Sequence, residues 1–375
     1  MFYAFVAYGF VFQAVPPLID VLTEQFSIAS AAQAGLLMTI VVVPGIFLSL
    51  PAGLIADRYG FKGLGVASIA LTVAGSLVAA IADSFQILLL GRLILGIGGA
   101  FLVTSLPAAI AQWFSRGELG KAMGFYGTNM PVATIASFLA ASLLLLFFND
   151  WRHTFLVGAI LAGTAMVIFI LFVREGPIAK SQNQEKAPFW RALRSLELWK
   201  VGLVWLLFQM AAISFLSWAP SIFHNYRGLD LVNASLLASV LMIAAIPFVP
   251  FFGWLSDRIR RRKLFLAAGP FLMALALVSS AYSAGLGLVV SVAFLGFAAA
   301  MVPSVVSALP VEILEPEAVG VGFGVMAACL NIGVSLAAPL FGYLFDVTGS
   351  LEVSFVGIAA FSVVGGMVAL TLKAR

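Results

Sequence analysis

Apolar runs of about twenty residues, separated by short polar turns, follow one another along the whole chain. Lipid cannot satisfy backbone N–H and C=O groups, so a run of about 20 apolar residues predicts a helix that crosses a membrane. We expect twelve such spans, at residues 2–22, 33–55, 63–82, 86–110, 121–147, 153–173, 198–222, 232–255, 263–283, 286–311, 319–345 and 352–372.

The composition agrees with this pattern and excludes a soluble protein. Hydrophobic residues make up 62% of the chain and charged residues 10%, with a mean hydropathy of +1.11, whereas soluble domains carry roughly 25% charged residues. The formal net charge of +4 does not indicate a nucleic-acid partner, because the bases lie in short loops between apolar runs. The single cysteine, Cys329, excludes an intramolecular disulfide.

The basic residues predict the orientation of the spans. With the N-terminus inside, seventeen of the 20 Lys and Arg residues fall in cytoplasmic loops or the C-terminal tail. Arg152 and Arg227 fall outside, and Arg92 falls within the fourth span. Basic residues prefer cytoplasmic loops, so both termini are expected inside the cell.

An internal repeat divides the chain into two halves. At an offset of 200 residues, Gly53, Asp57 and Arg58 recur as Gly253, Asp257 and Arg258. The one long polar stretch lies between these copies. We therefore expect an N-terminal six-helix bundle at 1–173, a cytoplasmic linker at 174–197 and a C-terminal six-helix bundle at 198–375. Transporters built from such halves bind their substrate near the membrane midplane, between the repeats.

The turn from Gly53 to Lys62 resembles the loop motif G-x-L-A-D-R-x-G-R-K of the major facilitator superfamily, with Phe61 where that family usually has arginine. The stretch from Arg92 to Ala100 resembles the family's fourth-span motif, and Trp151–Arg152 before the sixth span is also common there. The resemblance covers the whole chain. It implies an all-α membrane protein of twelve transmembrane helices in two six-helix bundles, working as a monomer in a prokaryotic-type cytoplasmic membrane.

The repeated turns are the candidate gating elements. We assign this role to Gly53, Asp57, Arg58 and Lys62 and to their counterparts Gly253, Asp257 and Arg258. In this interpretation Asp57 faces the N-terminus of a helix of the other half, near Val319, and closes the cytoplasmic side. The alternative is a tight turn whose bases only set the topology, although topology requires no acid.

The candidate substrate site consists of polar and aromatic residues inside spans. Arg92 is costly in a membrane, by at least about 2.5–3.5 kcal/mol on insertion scales, so it should face a cavity or a partner. It either attracts an anionic substrate or braces backbone carbonyls of the first span. Four amides near mid-depth and two aromatic side chains complete the set, either as site lining or as interhelical packing: Gln13, Asn129, Gln209, Asn331, Tyr8 and Trp218.

The sequence shows no metal-ligand cluster, no nucleophile–base pair and no phosphate-binding loop, so we assign no catalytic residue, metal or cofactor. Gly96–Ile97–Gly98 lies in an apolar span and indicates helix packing rather than a nucleotide loop. An enzyme and a nucleic-acid-binding protein are therefore not expected, and the lipid bilayer is the expected surroundings.

The pattern around Pro16–Pro17, Asn129, Trp151–Arg152 and Trp218–Ala219–Pro220 loosely resembles the cyanate and nitrate/nitrite-like branch of the superfamily. Nitrate porters of that branch carry arginine in the second and eighth spans, and the corresponding spans here hold none. The resemblance implies an alternating-access transporter of a small organic or inorganic anion, with a coupling proton or counter-anion. A proton-coupled exporter of hydrophobic compounds is the second interpretation, and a transporter-like sensor without flux is the third.

Overall fold

The structure, a computed structural model, describes residues 1–114, 116–174, 193–306, 308–315 and 319–373. Within these ranges the side chains of residues 49–59, 104, 108, 111–112, 116–117, 119–120 and 319 are not described. The proposed gating residues Gly53, Asp57 and Arg58, and the proposed partner position Val319, therefore lie outside the described side chains.

The described chain forms helices joined by short turns. They are α1 (Phe2–Phe12), α2 (Ile19–Gln25), α3 (Ala31–Tyr59), α4 (Phe61–Ala80), α5 (Phe85–Trp113), α6 (Arg116–Tyr126), α7 (Asn129–Phe148), α8 (Arg152–Phe172), α9 (Leu196–Arg227), α10 (Leu231–Ile259), α11 (Arg262–Tyr282), α12 (Gly285–Ala299), α13 (Met301–Val306), α14 (Leu309–Ile313), α15 (Val319–Thr348) and α16 (Leu351–Leu370).

Within the described residues, twelve helical segments are long and apolar enough to cross a membrane, which confirms the predicted number of spans. Three of the spans are broken: α1 and α2 form the first, α6 and α7 the fifth, and α12 to α14 the tenth. Large apolar side chains such as Phe147, Phe172 and Leu286 are 75%, 76% and 79% exposed. Lipid is the solvent that tolerates such a surface, so the chain is an integral, multi-pass membrane protein.

The described residues form two compact units that do not follow the chain continuously. Unit 1 comprises residues 1–29, 36–174 and 223–236. Unit 2 comprises residues 30–35, 193–222 and 237–373. The first turn of α3 thus belongs to unit 2, and the end of α9 with the start of α10 belongs to unit 1.

The same helix pairings recur in the two units. In unit 1, α4 packs against α5 and α8; in unit 2, α11 packs against α12 and α16. These helices correspond to one another at the 200-residue offset of the sequence repeat. The repeat therefore describes packing as well as sequence.

Small residues allow α4 and α5 to pack with their backbones in close contact. A Cβ atom on Gly75 would lie 2.6 Å from the carbonyl oxygen of Gly91, and one on Gly91 would lie 2.7 Å from the backbone nitrogen of Ala79. Such close packing of small residues is typical of membrane helices. It also fixes the position of Arg92, the next residue of α5.

Candidate functional site

The first span is interrupted midway along its length. Helix α1 ends at Phe12, and a short 3₁₀ turn at Pro16–Leu18 leads into α2. Proline has no N–H, so Pro16 cannot donate the helical hydrogen bond that the carbonyl of Phe12 would normally accept. The backbone N–H of Ala14 donates to Val11 instead of continuing the α-helical pattern. The carbonyls of the last turn of α1 therefore need other donors.

Arg92 supplies two of these donors from α5. Its Nη1 donates to the carbonyl of Val11 over 2.7 Å and its Nη2 to that of Phe12 over 2.9 Å. Its Nε donates to the carbonyl of Leu37 on α3 over 2.9 Å, and the side chain is 0% exposed. The planar guanidinium thus ties the first, second and fourth spans together at the break.

Helix α7 provides the remaining polar contacts at the break. The hydroxyl of Ser137 donates to the carbonyl of Phe10 over 2.7 Å, and Nε2 of Gln13 donates to the hydroxyl of Thr134 over 3.1 Å. We call Gln13, Arg92, Thr134 and Ser137 the polar node. All four side chains are at most 1% exposed. Ser137 and Thr134 were not among the residues proposed from the sequence, because a serine or threonine in a helix commonly bonds its own backbone.

The charge of Arg92 has no counter-charge in the part of the chain that the structure describes, where no carboxylate forms an ion pair with it. Its N–H groups contact carbonyl dipoles, which solvate the charge without cancelling it. The geometry is that of the brace, the alternative that the sequence left open. A brace still carries a full positive charge, so its field acts on an anion in the same unit.

Two further proposed residues of unit 1 are Tyr8, within α1, and Asn129, at the start of α7. Tyr8 is 6% exposed and packs against Gly99 of α5, where a Cβ atom would collide with its ring. Its ring lies 5.8 Å from that of Phe5 and 6.1 Å from that of Phe12. Asn129 is 4% exposed at the start of α7. The structure thus places Tyr8, Gln13, Arg92 and Asn129 in one unit.

The proposed residues of unit 2 lie on α9 and α15. These helices approach closely at Gly333, where a Cβ atom would lie 3.1 Å from Cβ of Gln209. Gln209 and Asn331 are both half-buried. Trp218 is 8% exposed and donates its indole N–H to the carbonyl of Ala338 over 3.0 Å, so this polar group fixes α15 in the present arrangement.

The described residues of the two repeated turns make contacts within their own units. Lys62 donates to the carbonyl of Ile170, near the C-terminal end of α8, over 2.9 Å. In the second copy, the guanidinium of Arg262 lies 2.9 Å from Asp257 and 2.7 Å from Glu312. Arg262 corresponds to Lys62 at the 200-residue offset, a signal that could have identified it from the sequence.

The other two candidates of the second copy have few polar contacts. The guanidinium of Arg258 lies 5.3 Å from the ring centroid of Trp254, a cation–π distance. A Cβ atom on Gly253 would meet nothing within 4 Å, so close packing does not require glycine there.

The Major Facilitator Superfamily model matches residues 1–249 and 228–375 of the chain. The probable nitrate/nitrite transporter NarK2 of Mycobacterium tuberculosis is 27% identical over 256 residues, which cover 66% of this chain and 63% of that protein. The probable sulfoacetate transporter SauU of Cupriavidus necator is 25% identical over 92% of this chain and 86% of its own. The hexuronate transporter of Bacillus subtilis is 24% identical, with coverages of 89% and 84%.

Among solved structures, a bacterial homologue of the human lysosomal transporter Spinster, in an inward-facing and occupied conformation, aligns with a TM-score of 0.83. The alignment covers 99% of this chain and 95% of that one, at 16% sequence identity. At this identity the similarity establishes the fold alone, which agrees with the predicted twelve-helix architecture.

Proposed function

The chain belongs to the Major Facilitator Superfamily, and from that premise we propose that it moves a small anion across a cytoplasmic membrane by alternating access. Its two six-helix halves alternately expose a midplane site to either side, with the termini inside. Asp57 and Asp257, with their neighbouring bases, control access from the cytoplasm. A proton or a counter-anion is the coupled species.

The charge of Arg92 is the observation that carries the anion proposal. The guanidinium is 0% exposed and has no carboxylate partner among the described residues. At a distance of about 10 Å and an effective dielectric constant of about 20, one unit charge attracts an anion by about 1.7 kcal/mol. This exceeds a tenfold effect on affinity. Because carbonyls occupy its N–H groups, Arg92 acts through its field in this arrangement.

The named relatives support the class of substrate rather than its identity. Their names state nitrate or nitrite, sulfoacetate and hexuronate, which differ in size and shape and share a negative charge. A fixed positive charge would favour all of them, whereas the lining would select among them. We assign that selection to the remaining proposed residues: Tyr8, Gln13, Asn129, Gln209, Trp218 and Asn331.

Counterflow of labelled anions in proteoliposomes tests the proposal, with three variants that separate charge from bracing. Arg92→Gln keeps hydrogen-bond donors but removes the charge, and Arg92→Lys keeps the charge without the planar fork. Ser137→Ala is the matched control, because it removes a brace from the same break and leaves the charge. Nitrate, nitrite, sulfoacetate and glucuronate serve as the test anions.

We expect anion exchange to fall roughly tenfold or more in Arg92→Gln, following the field estimate above. Arg92→Lys and Ser137→Ala should keep their preference for anions over amines and neutral sugars. Wild-type exchange rates in Arg92→Gln would contradict the role of the charge. Exchange of hydrophobic cations alone would identify an exporter, and binding without any counterflow would identify a sensor.

A further inference from the structure

Among the described residues, three polar contacts join the two sequence halves at the predicted outer ends of the spans. Odd-numbered spans end there and even-numbered spans begin there, because the linker lies on the opposite side. Each contact pairs a residue of the first sequence half with a residue of the second. In every case both partners belong to the same compact unit.

The contact made by Asp346 involves a full charge. Asp346 lies two residues before the end of α15, where an acid is unfavourable for the dipole of its own helix. Its Oδ1 accepts the backbone N–H of Ala31 and its Oδ2 that of Ala32, both over 2.9 Å. These are the first two N–H groups of α3, which have no partner within that helix. Asp346 therefore caps a helix of the other sequence half.

Two glycines bring the backbones of α3 and α15 into contact beside this cap. A Cβ atom on Gly35 would lie 2.6 Å from the backbone nitrogen of Pro339. A Cβ atom on Gly342 would lie 2.6 Å from that of Ala32. Any larger residue at either position would push the two helices apart. The carboxylate thus reaches the N-terminus of α3 because glycine permits the approach.

The sequence repeat supplies an uncharged counterpart of this contact. At the 200-residue offset, Gly35 and Gly342 correspond to Ser235 and Ser142. The two serine hydroxyls lie 2.7 Å apart, and both side chains are 0% exposed. The third contact, from Nδ2 of Asn225 to Oδ2 of Asp20 over 2.8 Å, is exposed. The repeat therefore places a charge–dipole contact on one side of the pseudo-symmetry and a buried neutral hydrogen bond on the other.

We propose that Asp346 is a gating residue that holds the predicted outer side closed by capping α3, and that the carrier opens to that side when this cap breaks. The proposal rests on the alternating access of the proposed function. Both the carboxylate and the α3 N–H groups lie where water reaches them once they separate. The contact is thus reversible, since each group regains hydrogen bonds to water.

Accessibility of a buried cysteine reports the opening without a known substrate. Ser239 lies one turn from Ser235 on the same face of α10 and is 1% exposed. A Ser239→Cys reporter in a Cys329→Ala background is labelled by a membrane-impermeant maleimide added to right-side-out membrane vesicles. The matched control is Asp230→Asn: Asp230 accepts the N–H of Asn233 at the start of its own helix, α10, on the same predicted side.

We expect Asp346→Asn to label roughly two- to fivefold faster than wild type, the range that loss of one exposed charge–dipole contact gives. Asp230→Asn should label at the wild-type rate. Gly35→Ala is the second variant, because it opens the same contact sterically while keeping the carboxylate, and it should also label faster. Wild-type rates in both Asp346→Asn and Gly35→Ala would overturn the proposal. Equal acceleration in Asp230→Asn would also overturn it.

If the proposed function is wrong but the proposal for Asp346 holds, the experiments would give a different pair of results. Wild-type protein would then show no anion counterflow, while the selective acceleration by Asp346→Asn would persist.

Discussion

The break in the first span and the corresponding region of unit 2 solve the same packing problem with different chemistry. In unit 1 the span is interrupted at Pro16–Leu18, and Arg92 satisfies its free carbonyls. In unit 2, α9 continues without interruption past the residues that correspond to this break, and Val292 occupies the position that corresponds to Arg92. An arginine thus lies beside the break, where backbone carbonyls lack helical donors, and a valine lies beside the continuous helix.

The equivalent helix pairs also reverse the direction of a hydrogen bond. In unit 1, Ser137 of the fifth span donates to the first span over 2.7 Å. In unit 2, Ser214 of the seventh span donates to Ala337 of the eleventh span over 2.7 Å. Ala337 corresponds to Ser137, and Ala14 corresponds to Ser214. The repeat therefore preserves which helices pack together but not which helix donates.

Replacing Arg92 by the residue of the other repeat should have the largest effect on stability. Arg92→Val leaves the buried carbonyl of Phe12 without its donor and that of Val11 with only the N–H of Ala14 over 3.3 Å, and each lost hydrogen bond costs about 1–3 kcal/mol. We expect the free energy of unfolding in detergent to fall by about 2–6 kcal/mol. Arg152→Val is the matched control, since Arg152 also donates to a carbonyl, that of Ala82, but is only part-buried. Equal losses in both variants would contradict a special role for the break.

The reverse substitution, Val292→Arg, should lower the free energy of unfolding by a somewhat smaller amount. Val292→Arg places a guanidinium at a 0% exposed position of unit 2, beside the part of α9 where the helix continues past Ala211 and Ala212, the counterparts of Val11 and Phe12. The expected cost is about 2.5–3.5 kcal/mol by insertion scales, measured as membrane-inserted yield and unfolding free energy. Val292→Met controls for the added length. Wild-type yield of Val292→Arg would show that unit 2 also offers free acceptors.

The hydrogen bonds donated by Ser137 and Ser214 should contribute equally and modestly to the free energy of unfolding. Ser137→Ala and Ser214→Ala each remove one 2.7 Å hydrogen bond and introduce the residue found in the other repeat. Interhelical hydrogen bonds in membranes contribute about 0.6 kcal/mol on average and up to about 1.7 kcal/mol. We expect both losses within that range in thermal unfolding. A much larger loss for Ser137→Ala would indicate that the polar node acts cooperatively.

The sequence predicts the spans well because the order of apolar and polar side chains directly determines hydropathy and span length. It also raises both roles of Arg92, since a lone charge in a span needs either a partner or a substrate. It does not predict which carbonyls accept from Arg92, because every residue has the same backbone groups and only the break at Pro16 frees some of them. The cap of α3 by Asp346 is hidden for the same reason: its partners are N–H groups of two alanines.

A coupling free energy, rather than the loss in a single variant, tests whether the break is the reason for the brace. Pro16→Ala restores an N–H that can donate to the carbonyl of Phe12, so Arg92→Gln should cost less in that background than in wild type. Residues that share a network couple by about 0.5–3 kcal/mol, and we expect about 1 kcal/mol from a double-mutant cycle of unfolding free energies. Pro17→Ala is the control, because the carbonyl four residues before it belongs to Gln13, and the described contacts of Arg92 do not include that oxygen. If the losses of unfolding free energy in Pro16→Ala and Arg92→Gln are additive, the break is not the reason for the hydrogen bonds that Arg92 makes. Its uncompensated charge would then be the remaining reason for a guanidinium in unit 1 where unit 2 has a valine.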